Sequence, residues 1–298
     1  MALVQQELEV SERRACRAIG QARSSQRYVA ERPDQDRPLV DRIVVLARQN
    51  PRYGYRRIWA LLRREGWRVN RKRVHRLWRA EGLKVPVVQH KRRRLGSSEN
   101  ASTRKPAERP NHVWSYDFVM DQTQDGRQLK MLPVVDEFTR ECLSIDVERS
   151  LTAQGVVARL QQLFERRGSP DFTRSDNGPE FIAMAVKEWL RDTGVKTLYI
   201  EPGSPWENAY SETFNSRFED ELLNREIFSN LVEAKVLVEE YRGKYNKERP
   251  HSSLGYLTPA EFARGHELGT IASATVGGLV TVVAWPRGQH PAGTPMLS

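Results

Sequence analysis

Three acids in the second half of the chain have the types and spacing for chemistry at phosphorus. Asp117 lies in "HVWSYDFVMD", between the aromatics Tyr116 and Phe118. A carboxylate among strand aromatics is costly unless it has a partner or a purpose. Asp176 lies in "RSDNGPEF", directly before Asn-Gly-Pro. Asn-Gly signals a turn, and Pro179 suits the first position of a helix. Asp176 therefore falls at the C-terminal end of a strand, where open α/β sheets place their sites. Glu212 follows in "ENAYSETFNSRF", with 35 residues between it and Asp176. Taken alone, Asp176 also reads as a helix cap. Asp136, Glu137, Asp146, Glu219 and Asp220 are further acids, and most acids are solvated surface. Three carboxylates brought together repel one another and resist simultaneous ionisation. Divalent cations remove that conflict, and Mg²⁺ takes a few carboxylates together with waters and phosphate oxygens. Two such ions about 4 Å apart activate the attacking oxygen and stabilise the leaving one in an in-line displacement.

The elements that must position these acids follow from periodicity. Residues 112–121 read as one strand containing Asp117, and residues 129–138 and 141–148 as two more, joined at Thr139 and Arg140. Val156, Val157, Leu160, Leu163 and Phe164 form a helical stripe that Gly168 ends. Residues 170–175 make a fourth strand leading into Asp176. The helix after Pro179 is expected to bury Phe181, Ile182, Ala185 and Trp189, and "VKTLYI" is a fifth strand. In the next helix Tyr210, Phe214, Phe218 and Leu222 repeat every four residues as the buried stripe, leaving Asn208, Glu212, Asn215 and Ser216 on the other side. The preceding "EPGSPWE", with one Gly and two Pro, reads as an active-site loop. Strands followed by alternating helices and strands indicate a mixed sheet with helices packed on it.

The first part of the chain is built for a different task. Residues 1–110 carry 28 Lys and Arg against 11 Asp and Glu, whereas the remainder carries 20 against 27. A front half this basic is drawn to a polyanion. Within it, Tyr55, Ile58, Trp59 and Leu62 recur at helical spacing, and Gly66 breaks the pattern. Asn70 caps a second helix with a Val74, Leu77 and Trp78 stripe, and Gly82 stops it. Two short amphipathic helices around a turn read as a helix-turn-helix. Arg71, Lys72, His75, Arg76 and Arg79 occupy the exposed side of the second helix, with Lys72, Arg76 and Arg79 on one face. That is the geometry of a recognition helix entering a major groove. Upstream, residues 11–28 read as another helix pair, either a second helix-turn-helix or a supporting hairpin. There Ser11 caps, Ala15, Ala18 and Ile19 face a core, and Gly20 ends the first helix. "ERPDQDRP" (31–38) and "HKRRRLGSSENASTRKPAERPN" (90–111) read as polar linkers. Two distant cysteines, Cys16 and Cys142, support neither a disulfide framework nor a cysteine zinc site and fit a reducing cytosol. The N-terminus shows no signal-peptide pattern, and "GGLVTVVAW" (277–285) is too short to span a bilayer.

The motifs "WSYDF", "RSDNGPEF", "ENAYSETFNSRF" and "YNKERPHSSLGYLTPAEF", with the block "RYGYRRIWALL" to "GWRVNRKRVHRLW", resemble insertion-sequence transposases of the IS-three type, specifically their OrfB product. The resemblance covers roughly residues 10–264 and extends to the retroviral integrase core. It implies a ribonuclease H-like α/β fold, with a mixed five-stranded sheet and flanking helices, preceded by an all-α helix-turn-helix region. The implied domains are an N-terminal helical segment (1–36), a helix-turn-helix domain (37–90), a basic linker (91–110), an integrase-like core (111–265) and a disordered tail (266–298). Residue by residue, Asp117, Asp176 and Glu212 match the family's D,D(35)E ligands for two Mg²⁺ ions, with Mn²⁺ able to substitute. The implied reaction is hydrolysis at an element end followed by transesterification by the freed 3′-OH. The implied partners are double-stranded DNA (element ends and target), further copies of the chain and an upstream-frame OrfA product, in the cytoplasm, with no membrane. Arg249 and His251 match a motif near the end of the family's core, with a DNA-contact or structural role expected. Asn177 is expected to orient Asp176 or touch DNA, with a turn residue as the alternative. Many relatives carry Lys or Arg seven residues after the glutamate; here that position is Glu219. Arg217, close to it but on a different helix face, is a further expected DNA contact. Two other functions fit the residues: a catalytically defective DNA-binding regulator, and a ribonuclease H-like nuclease that only hydrolyses.

Overall fold

The computed structural model describes residues 10–27, 33–85, 106–175, 184–199, 209–269, 273–276 and 279–282. The chain divides into two units, Met1–Val85 and Pro86–Ser298.

The first unit is helical. Short helices α1 (Glu12–Ala18) and α2 (Arg23–Gln26) lead it. Ser11 stands at the N-cap of α1 without a side-chain capping bond, and Ala15 and Cys16 are buried. Ala18 and Ile19, expected in a core, are exposed. The segment read as a linker at 31–38 instead opens helix α3 (Pro33–Gln49), so a boundary between residues 36 and 37 falls inside a helix. Pro33 occupies its first position, where a missing N–H costs nothing, and Leu39, Ile43 and Leu46 give it a buried stripe. Helices α4 (Tyr55–Arg64) and α5 (Arg71–Ala80) follow as expected. The Asn70 side chain accepts from the Lys72 N–H at 2.8 Å, and Gly66 and Gly82 take positive φ at the helix ends. Ile58, Leu62, Val74, Leu77 and Trp78 close one apolar core with the α3 stripe.

The second unit is a mixed sheet with helices on both faces. Strands β1 (Val113–Tyr116) and β2 (Val119–Gln122) pair with β3 (Gln128–Asp136), which pairs with β4 (Cys142–Glu148), all antiparallel. On its other side β1 runs parallel to β5 (Phe172–Ser175), and β5 parallel to β6 (Lys196–Tyr199). The segment 112–121, read as one strand, is thus two. Tyr116 pairs with Val134 and Val119 with Met131, so both pieces keep one register and fill one lane of a five-lane sheet. The interruption has a cause in β3. Asp117 stands opposite Pro133, at a position where the strands exchange backbone bonds, as the neighbouring Glu137 N–H to Val113 O bond shows. Proline has no N–H to offer Asp117, and the ladder opens there.

On one face, α6 (Ala153–Arg167) packs Val156, Leu160 and Leu163 against Trp114, Tyr116, Leu132 and Val134. Helix α7 (Met184–Asp192) lies beside it and buries Val186 and Leu190, whereas Ala185, expected inside, is exposed. Phe181 and Ile182 lie outside the described residues. On the other face, Phe214 and Phe218 of α8 (Ala209–Phe218) and Val238, Tyr241 and Tyr245 of α9 (Leu231–Lys247) cover Leu129, Met131, Ile145 and Val147. Helix α10 (Pro259–Glu267), opened by a Thr258–Glu261 capping box, seals the end with Phe262 against Phe138. Within the tail expected to be disordered, β7 (Ser273–Val276) and β8 (Leu279–Val282) pair antiparallel.

Candidate active site

Asp117 is the first residue after β1, not a residue within a strand. Its Oδ1 accepts the Phe118 N–H at 2.8 Å, which turns the carboxylate at the point where the ladder opens. Next to β1, β5 ends at Ser175, one residue before Asp176. Val113 pairs with Phe172, Trp114 with Thr173 and Ser115 with Arg174. The two parallel strands therefore finish side by side, each one residue short of a predicted acid. Asp176 and Asn177 themselves lie outside the described residues.

The third acid comes from α8. Glu212 is exposed in its first turn. The sequence places Asn215 on the outer side of that helix; the structure does not. Asn215 is buried, and its Nδ2 donates to Asp117 Oδ2 at 3.2 Å. Its Oδ1 is buried with no hydrogen-bond partner among the described residues. Residues three apart on a helix are neighbours, so this bond sets the Glu212 side of α8 toward the end of β1. The signal was present in the sequence as an amide three residues after the acid, but periodicity alone assigned it to solvent. Among the described residues no group of three or more His, Cys, Asp or Glu is placed to hold a metal ion; Asp176 is not among them.

Helix α8 continues into a π-helical turn, Glu219–Leu223. Glu219, in the position that is often basic, is exposed. Glu221 from the same turn accepts from Arg249 at two points, Nε at 2.8 Å and Nη2 at 2.7 Å. Both side chains are below 10% exposed, at 9% and 4%. His251 Nε2 lies 3.4 Å from Arg249 Nη1, and the His251 ring meets Tyr245 edge-on. Burial pushes the hydroxyls of Tyr241 and Tyr245 well above the ordinary tyrosine range. Arg249 and His251 are thus interior groups. Arg217 is half-buried on α8. Trp114 is fully buried, and its indole N–H donates to Asn111 Oδ1.

Behind the site, the tight turn between β3 and β4 is held by Asp136. This buried carboxylate accepts the N–H groups of Phe138 at 2.8 Å, Thr139 at 3.0 Å and Asn111 at 2.7 Å. Burial raises its pKa, and the three backbone donors oppose the rise. Arg140 in that turn lies over the Tyr210 ring at 3.6 Å, tying the turn to the first turn of α8.

In the first unit, Arg71, Lys72, Arg76 and Arg79 are exposed on α5, and His75 stacks on Tyr55 at 4.2 Å. Arg76 donates to Asp36 of α3 at 3.2 Å, and Arg73, absent from the predicted set, also pairs with Asp36. Among the described residues no helix is long and apolar enough to cross a membrane.

Comparison with known proteins agrees with this division. An integrase core domain family matches residues 107–205, a second integrase core domain family matches residues 193–259, and an HTH-like domain family matches residues 33–93. The insertion element IS407 31.7 kDa protein of Burkholderia multivorans is 40% identical over 280 residues, 94% of this chain and 100% of that one. The transposase InsK for insertion sequence element IS150 of Escherichia coli, itself named as putative, is 31% identical over 241 residues, 78% of this chain and 84% of that one. The magnesium-bound integrase catalytic core of HTLV-2 covers 52% of this chain and 97% of its own, at 18% identity and a TM-score of 0.42. On the identity to these insertion-element relatives, the InsK transposase among them, and the match to the integrase core domain, the chain belongs to the insertion-sequence transposases with an integrase core domain, and it is a DNA transposase.

Proposed function

We propose that this transposase cuts and joins the ends of its element through a carboxylate site made of Asp117, Asp176 and Glu212. The observation that carries the reading is the Asn215–Asp117 hydrogen bond. It ties the helix of the third acid to the strand end of the first, and β5 ends beside that strand one residue before the second. The donor set fits a hard divalent cation: carboxylate oxygens, with the buried Oδ1 of Asn215, on the residue bonded to Asp117, able to accept a hydrogen bond from a metal-bound water. Two Mg²⁺ or Mn²⁺ ions held there would supply activation of the attacking oxygen and stabilisation of the leaving oxygen at phosphorus. The chain's own part is positional. Asn215 and the Phe118 N–H hold both oxygens of Asp117 at the point where the ladder opens. The α5 side chains Arg71, Lys72, His75, Arg76 and Arg79 bind the duplex, with Asn177 and Arg217 near the reacting strand. Work on two ends at once calls for a homo-oligomer, in the cytoplasm where the DNA is.

The test is a strand-transfer assay with the full chain, Mg²⁺ or Mn²⁺ and labelled DNA bearing the element's ends, run beside Glu212→Gln. Joined product that the substitution removes is the expected result. Nicked product without joining points to a hydrolytic nuclease or to a requirement for the upstream-frame OrfA partner. DNA binding without chemistry from either protein overturns the catalytic reading and leaves a regulator.

A further inference from the structure

Asp36 lies in a stretch that reads as a polar linker, yet its side chain is 11% exposed and both of its oxygens are engaged by the predicted recognition helix. Arg73 approaches Oδ1 through two nitrogens, Nε at 2.8 Å and Nη2 closer still. Arg76 reaches Oδ2 through Nη2 at 3.2 Å while its side chain stays 62% exposed. A concave site lined by Gln35, Asp36, Asn70, Lys72, Arg73 and Arg76 opens there. Every one of those groups is polar, and three are cations on one turn and a half of α5.

We infer that Asp36 is a specificity-determining residue: it fixes the Arg73 and Arg76 guanidinium groups for base reading and withholds them from indiscriminate phosphate contact. This rests on the reading of α5 as the DNA-reading helix. A free arginine on a groove-facing helix pairs with any phosphate, and each such contact raises affinity without regard to sequence. A guanidinium held by a carboxylate presents its remaining N–H groups in a fixed plane, the requirement for bidentate contact with a guanine edge. The carboxylate also removes one positive charge from the helix's share of the phosphate field. Exposed ion pairs do little for stability, but here the acid is buried and the bases face outward. That arrangement leaves Arg76 open to a ligand while fixing its root.

The experiment measures binding of the full chain to a duplex carrying the element's end and to a scrambled duplex, across a salt series. It uses wild type, Asp36→Asn, Arg73→Lys and Lys72→Ala. Asp36→Asn should raise affinity for the scrambled duplex, steepen the salt dependence by about one phosphate contact, and reduce the ratio of specific to scrambled affinity about tenfold. Arg73→Lys keeps the charge and loses the planar fork, so the ratio should fall with the salt slope unchanged; it carries the test if Asp36→Asn does not fold. Equal weakening on both duplexes with an unchanged slope would overturn the inference and leave Asp36 as a brace between α3 and α5. Lys72→Ala separates the two levels. If it weakens binding while the other variants keep the ratio, only the role of Asp36 falls. If it leaves binding untouched, α5 is not the reading helix and both fall.

Discussion

The two units treat charge in opposite ways. In the first, Leu39, Ile43, Ile58, Leu62 and Val74 fill the interior, the α5 cations stay outside, and Asp36 is the one charged side chain buried among the described residues. In the second, polar groups go inside: Asp136 in its turn, Glu137 with Arg174 at 3.0 Å, Glu221 with Arg249, and Asn215 with Asp117. Asn246 joins them, accepting the Cys142 N–H at 2.9 Å and returning a bond to its carbonyl at 2.8 Å. A surface that holds a polyanion needs exposed cations and only a simple core to display them. A carboxylate site of the kind proposed, drawn from two strand ends and a helix, needs each junction held at one geometry. Satisfied buried polar contacts do that better than apolar packing, which tolerates small slips. Apart from Asp36, the first unit carries its charge on its surface, whereas the second buries polar and charged groups.

Substitutions can break or sharpen that contrast. The largest effect belongs to Asp117→Asn, which should abolish cleavage and joining while DNA binding in a mobility-shift assay stays within about twofold, since phosphate contacts lie on other residues. Next is Arg249→Met. It strips Glu221 of its bidentate partner in the interior and should cost about 3–5 kcal/mol in denaturant unfolding. Pairing it with Glu221→Leu should recover most of that loss, and failure to recover would show that the pair is not the buried unit described. Asn215→Ala should lower the turnover of strand transfer about 10- to 100-fold and raise the Mn²⁺ concentration needed for half-activity, as loss of a group that orients a metal ligand does. A defect in the Michaelis constant for DNA alone would instead make Asn215 a DNA contact. The smallest effect on the fold is that of Arg79→Ala: unfolding should shift by less than about 0.5 kcal/mol, with weaker DNA binding and a salt slope shallower by about one. A loss of stability as large as that of Arg249→Met would erase the distinction between the units.

Much of the first unit was legible because one helix stripe specifies one core face. Tyr55 to Leu62, the Asn70 cap and the Val74, Leu77 and Trp78 stripe stand as read. The helix at Pro33 was not legible, because a polar start with two prolines outweighs an apolar stripe that begins only at Leu39. In the second unit the five lanes and the α6 stripe were readable, but the break at Asp117 was not. It depends on Pro133, sixteen residues away in sequence and opposite only after the strands pair. The partner of Arg249 was not legible for the same reason: nothing local says that Glu221 will be buried beside it.

The sequence by itself determined most of the elements, the contrast between a basic helical part and a mixed-sheet part, and the three acids with their spacing. Those properties are local or periodic, set by propensity, caps and charge along the chain. Only the tertiary structure decided which polar side chains meet: Asn215 with Asp117, Arg249 with Glu221, and Arg73 and Arg76 with Asp36. Each of those contacts joins elements far apart in sequence, and a side chain that reads as solvated is committed to a partner only when packing removes the water that would otherwise satisfy it.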